Sequence, residues 1–175
     1  MKRLSIVLGL LMLSGIAIAD VAEKTVKLPG GLGKGVLFMD EDLDRTTAGV
    51  IVVHEWWGLN DYARNRARLL AEEGYVALAV DMYGDGQVAS HPKDAKAFME
   101  QALSEPEKLT ARFNAAKTIL RDQQYVDDER IFAVGYCFGG GVVLEQARKG
   151  NDLAGVASFH GTLGTNQRAG EGDID

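Results

Sequence analysis

Apolar and polar positions alternate in two short segments near the start of the chain, Glu23–Leu28 and Gly35–Met39, separated by Pro29-Gly30-Gly31. Period-two patterning on either side of a Pro/Gly turn predicts an antiparallel β-hairpin. Asp40–Thr47 reads as a polar connector. It leads into Gly49-Val50-Ile51-Val52-Val53-His54, a continuous β-branched run of the kind found in strands buried on both faces. Asn60 or Asp61 can then cap a helix that runs to about Glu73, with Ala63, Ala67 and Leu70 on one face and Gly74 as its stop. Tyr75–Val80 is a second apolar strand. A helix is predicted from His91-Pro92, and another from Ser104-Glu105-Pro106-Glu107, read as a capping box. Leu109, Phe113, Ala116 and Leu120 form the apolar stripe of that last helix. Arg130–Val134 is a strand, Phe138–Lys149 a helix ended by Gly150, and Leu153–Phe159 a further strand. Strands that alternate with helices in this way predict an α/β fold, a mostly parallel sheet with helices on both faces and the hairpin at its start.

The first residues change the frame. Lys2 and Arg3 precede an apolar run from Leu4 to Ile18 that ends in Ala17-Ile18-Ala19, the small-x-small pattern of a signal-peptidase site. The run is short against the ~20 residues a membrane span needs. Residues 1–19 are therefore read as a removed export signal, with a membrane anchor as the alternative, and residues 20–175 as one domain of a periplasmic or secreted protein. The net charge is −6 with Lys2 and Arg3 included, and more negative without them. An acidic chain is a poor partner for nucleic acid or an anionic membrane surface. The single cysteine, Cys137, has no intrachain disulfide partner; outside the cytosol such a thiol is either buried and inert or functional.

Its surroundings favour function. The order strand, Gly135-Tyr136-Cys137-Phe138-Gly139-Gly140, helix is the nucleophile-elbow pattern with Cys in the central place. The central residue must turn sharply so that its side chain stands above the sheet, and Gly135 and Gly139 leave room where a Cβ would collide with neighbouring backbone. The Phe138 N–H then faces the place where an oxyanion would form. The helix that follows sets its positive dipole end beside the sulfur, where negative charge is stabilised. The alternative is a small packed residue in a Gly-rich phosphate loop, but the Lys-Ser/Thr of a P-loop is missing. The strand ends, where ligands sit in parallel sheets, also carry His54-Glu55-Trp56-Trp57, Asp81-Met82-Tyr83 and His160-Gly161.

Together the segments Val52–Asn60, Ala79–Gly84, the cysteine elbow and Ala157–Gly161 resemble the dienelactone hydrolase family of the α/β-hydrolase superfamily, over nearly all of the chain after residue 19. The resemblance implies an α/β-hydrolase fold and hydrolysis of a small-molecule ester or lactone through a thioester on Cys137. It implies that Glu55 contacts the resting cysteine, that the Trp56 and Phe138 amides form the oxyanion hole, and that no cofactor or metal takes part. Trp57, Tyr83 and His160 are further pocket candidates; Trp56 and Trp57 stand equally as core residues.

The chain departs from that pattern in two places. The family's Asp and His partners sit on later strands, whereas the stretch after Cys137 holds one histidine, His160, and closes in a polar, Gly-rich segment, Thr162–Asp175. The last strand–helix units are read as missing, the domain as truncated, and the open edge left at Phe159 as an association hazard. His160 ends a strand expected to lie beside that of Cys137 and can reach the pocket rim as a substitute base. The family has a structural residue there, however, so this chain is expected to be inactive or nearly so for lack of a base. The family's substrate-binding Arg after the Asp-x-Tyr segment is replaced by Asp85, which would repel an anionic substrate. Rival readings are a non-catalytic fragment or pseudoenzyme that keeps a binding pocket, and a redox-sensing thiol.

Overall fold

The computed structural model describes residues 20–164. The leader expected at residues 1–19 and the segment from 165 onward lie outside the described residues. The predicted hairpin is present: β1 (Val21–Lys27) pairs antiparallel with β2 (Lys34–Asp40), and a 3-10 turn over Pro29–Gly31 joins them. The β-branched run forms β3 (Thr47–Val53), buried along its whole length. Next come α1 (Asp61–Glu72), β4 (Val76–Val80), α2 (Pro92–Leu103), α3 (Pro106–Arg121), β5 (Val126–Tyr136), α4 (Phe138–Arg148) and β6 (Gly155–Phe159). The sheet order is β1-β2-β4-β3-β5-β6; β2 runs antiparallel to β4, and β4, β3, β5 and β6 are mutually parallel. This is the α/β-hydrolase arrangement expected.

Period-two alternation divides the core between the two faces of the sheet. Ile51 and Val53 of β3 join Leu78 and Val80 of β4 beneath Leu109, Phe113, Ala116 and Leu120 of α3 and Val142 and Val143 of α4. Val50 and Val52 point the other way, with Ala77 and Ala79, onto Ala63, Ala67 and Ala71 of α1. Small residues on α1 bring that helix close to the sheet. Among the described residues no helix is long and apolar enough to cross a membrane.

Three details correct the expectations. The capping box does not form. Ser104 closes α2, its N–H reaching Glu100 O and its hydroxyl donating to Gln101 O at 2.7 Å, while Pro106 opens α3 with no side-chain cap. Second, β5 begins at Val126 instead of Arg130, because it pairs with β3 in two registers. Ala48 faces Asp127 and Gly49 faces Ile131, so the charged residues between them bulge out of the ladder. Third, β6 begins at Gly155; Leu153, expected within it, packs against the core from the loop before it.

Candidate active site

Four segments meet at the carboxyl end of the parallel strands, and the elbow is the most constrained. Cys137 has φ 54° and ψ −113°, a left-handed backbone that non-glycine residues adopt at a cost of about 1–3 kcal/mol. Its N–H donates to Phe159 O at 2.9 Å, so the end of β6 holds the turn from one side. Close packing holds it from the other. A Cβ on Gly135 would lie 2.0 Å from Gly139 O, and one on Gly139 would lie 2.4 Å from Val53 O and 2.6 Å from His54 O. The first turn of α4 therefore rests directly on the end of β3. Gly140 performs the same service against β6, where a Cβ would meet Ser158 Oγ at 2.6 Å. The sequence pattern did not single out that glycine. Cys137 is half-buried, and its thiol is free.

Beyond β3 the chain turns through Glu55–Gly58, with Gly58 N–H donating to Glu55 O at 3.3 Å. Ala89 N–H donates to Trp57 O at 2.9 Å and ties this loop to the one after β4. The indoles of Trp56 and Trp57 meet edge to face, 5.3 Å apart. Both are partly exposed, and Trp56 also packs against the core. Neither the Trp56 N–H nor the Phe138 N–H donates to a backbone acceptor among the described residues.

The carboxylate of Glu55 finds its partner in His160, with Oε1 3.3 Å from Nε2. The resemblance implied a contact with the cysteine; the hydrogen bond runs to the histidine. His160 follows β6 in the left-handed region, at φ 46°. The parallel register of β5 and β6, with Tyr136 opposite Phe159, carries Cys137 and His160 to adjacent strand ends as anticipated.

Tyr83 is buried, and its hydroxyl donates to Trp56 O at 2.8 Å. Burial, with the charges of Asp81 and Cys137 adding to it, pushes the hydroxyl's pKa well above its ordinary value, so it stays a donor. Tyr83 therefore holds the Trp56 backbone from the core side. The loop bearing it is organised by the buried Asp81, whose two oxygens accept from the N–H groups of Tyr83 (2.9 Å), Gly84 (3.0 Å) and Gly86 (2.7 Å). Asp85 is exposed. Arg112 of α3, also buried, donates to Met82 O at 2.7 Å and Leu32 O at 3.1 Å. A carboxylate one residue past a strand and two glycines close behind it are the signal by which Asp81 could have been found. No such local signal marks Arg112.

The His54 ring turns into the interior, away from the Glu55 side chain, and is fully buried. Its Nε2 accepts from Met82 N–H at 3.1 Å, which leaves the ring proton on Nδ1, 2.5 Å from Glu55 O. Burial lowers its pKa, outweighing the Glu55 carbonyl and the charge of Asp81, so the ring is neutral. His91 caps α2, its Nδ1 accepting from Lys93 N–H at 3.3 Å. Among the described residues no group of three or more His, Cys, Asp and Glu side chains is arranged to hold a metal ion.

The model of the dienelactone hydrolase family matches residues 34–174. The chain is 36% identical over 109 residues to Protein usf of Aquifex pyrophilus, an alignment that takes in 60% of this chain and 47% of that protein. Among solved structures it resembles one called m3DLH, at 37% identity and a TM-score of 0.75, over 82% of this chain and 60% of that one. It also resembles a dienelactone hydrolase-like promiscuous phosphotriesterase from metagenomic libraries, at 36% identity and a TM-score of 0.74, over 81% and 59% of the two chains. The matched part is thus about half of the curated relative and three fifths of each solved chain.

Proposed function

The chain belongs to the dienelactone hydrolase family, and from that premise we propose that it hydrolyses carboxylic esters or lactones of small acids through a thioester on Cys137. The observation that carries the proposal is the elbow: a strained cysteine, closed in by glycines, at the start of a helix whose first amide, that of Phe138, has no backbone partner. The Cys137 sulfur attacks the substrate carbonyl, and the S–C bond forms as the carbonyl oxygen takes up negative charge between the Trp56 and Phe138 N–H groups. As the tetrahedral intermediate collapses, the C–O bond breaks and the leaving alkoxide takes a proton. Water then opens the thioester and restores the thiol.

We assign the base to His160, whose strand ends beside that of Cys137. It directly follows Phe159, whose carbonyl accepts the Cys137 amide, and Glu55 holds its ring. A base oriented by a carboxylate is the arrangement that moves a proton from nucleophile to leaving group. Trp57, edge to face with Trp56, and Tyr83, whose hydroxyl holds Trp56 O, support the loop that carries the Trp56 amide. Export to the periplasm or beyond is part of the proposal and is supported by Lys2 and Arg3 ahead of the apolar run.

A short-chain nitrophenyl ester tests the reading. The protein should release nitrophenol in a burst and carry a single acyl group on Cys137 by mass spectrometry, and Cys137→Ala should do neither. His160→Ala should slow the burst by about 10²-fold, the lower range for loss of a general base. Equal release by the wild type and Cys137→Ala would rule out the cysteine as nucleophile.

A further inference from the structure

His54 is a fully buried polar side chain to which the proposed mechanism gives no step, yet both of its ring nitrogens are engaged. Its partners lie on two different strand ends, Met82 after β4 and Glu55 after β3. The peptide it touches is the informative one. The Glu55 C=O and the Trp56 N–H are the two ends of one planar trans unit and point in opposite directions. That Glu55 oxygen also accepts the Gly58 N–H at 3.3 Å, and the shorter contact, from Nδ1–H at 2.5 Å, comes from the buried ring. The two together hold the plane, and so the line along which the Trp56 N–H projects. Donation into that C=O also polarises the N–H at the other end, because linked hydrogen bonds strengthen one another.

The next peptide is held as well. Its oxygen, Trp56 O, accepts the Tyr83 hydroxyl, so the peptide planes on both sides of Trp56 are pinned by buried side chains. The second oxyanion donor belongs to the same assembly. The Phe138 ring stacks on the His54 ring at 5.8 Å and an angle of 29°, and Tyr83 packs against both, 4.8 Å from His54 and 5.6 Å from Phe138. We propose that His54 and Tyr83 are positioning residues that hold the Trp56 amide in place as an oxyanion donor before substrate arrives. This inference rests on the hydrolase reading above.

The test separates this role from simple core packing. His54→Phe keeps an aromatic ring in the stack and removes the donor and acceptor; His54→Gln restores one of each. Acylation of Cys137 by the nitrophenyl ester should fall about 10²-fold in His54→Phe, the loss typical of a disturbed oxyanion donor. It should return to within about tenfold of wild type in His54→Gln, a recovery that hydrogen-bond restoration predicts and packing does not. Alkylation of Cys137 by iodoacetamide uses the sulfur without an oxyanion, so it should stay within about threefold of wild type in both variants. Tyr83→Phe, which removes one hydroxyl from the clamp, should show the same split. Unchanged acylation in His54→Phe and Tyr83→Phe, or equal losses in acylation and alkylation, would overturn the proposal. If the wild type alkylates but never acylates, the hydrolase reading fails. Nitrogen-15 spectra of the His54 ring then decide the clamp by themselves: a neutral ring protonated at Nδ1 supports it, and a ring protonated at Nε2 or at both nitrogens overturns it.

Discussion

Cys137 keeps a left-handed backbone because its neighbours have no side chains to resist it. Gly135, Gly139 and Gly140 each lie where a Cβ would come within 3 Å of backbone or of a buried hydroxyl. Gly135→Ala and Gly139→Ala should therefore each cost about 3 kcal/mol or more, since a backbone neighbour cannot step aside as a flexible side chain can. Gly31→Ala, at φ +71° but with nothing within 4 Å, should cost only about 1 kcal/mol. Urea unfolding of the three variants checks the ranking, and equal losses would refute it. The nucleophile turn was legible in the sequence because its requirements are local: six consecutive residues state them. The pairing of Glu55 with His160 was not, since those residues are 105 apart and meet through the register of three strands. His54 was passed over for a related reason. Its neighbours show that it ends an apolar strand, but not that two backbone groups wait for both of its nitrogens.

Each helix start states its own chemistry, and the two that differ make a paired test. Asn60 caps α1 with its side chain, accepting from Ala63 N–H at 3.1 Å, whereas Ser104 gives nothing to α3. Asn60→Ala should cost about 1 kcal/mol of stability, the usual loss for an N-cap, and Ser104→Ala no more than about 0.5 kcal/mol. A thermal melt of each variant decides between this and the capping box that the motif suggests. The motif misled because Pro106 is also an adequate helix start, its missing N–H being one of those left unpaired in a first turn. The strand and helix order was legible throughout, since apolar runs of the right length and period lie between Gly, Pro and capping residues. The early part of β5 was not. Asp127, Asp128, Glu129 and Arg130 carry no hydrophobic period, and only pairing with Thr47 and Ala48 draws Val126 and Asp127 into the sheet.

At the scale of the whole molecule the two faces of the sheet are unequally covered. α3 and α4 close one face; on the other, α1 lies mainly over β2, β4 and β3 and touches β5 through Tyr62 on Tyr136. Among the described residues this leaves an open region beside α1, over β5 and β6. Phe132, Tyr136 and Phe159 line that open region; Tyr136 and Phe159 stack on each other at 5.0 Å, and Phe159 is 51% exposed. β6 is also the last strand of the described sheet. An exposed apolar apron promotes association. The protein should self-associate as its concentration rises, and Phe159→Lys, which places a charge on the apron, should weaken that association. Sedimentation velocity across a concentration series measures both; a wild type that stays monomeric throughout would count against this account. The edge has a second meaning in time. Strands paired on one side only open and close faster than those in the middle of a sheet. The single backbone bond that steadies the Cys137 amide ends on Phe159, the final residue of that strand. The reactive turn is therefore only as steady as the pairing of β6 with β5: parting of the two strands would release the Cys137 amide, and re-pairing would set it again.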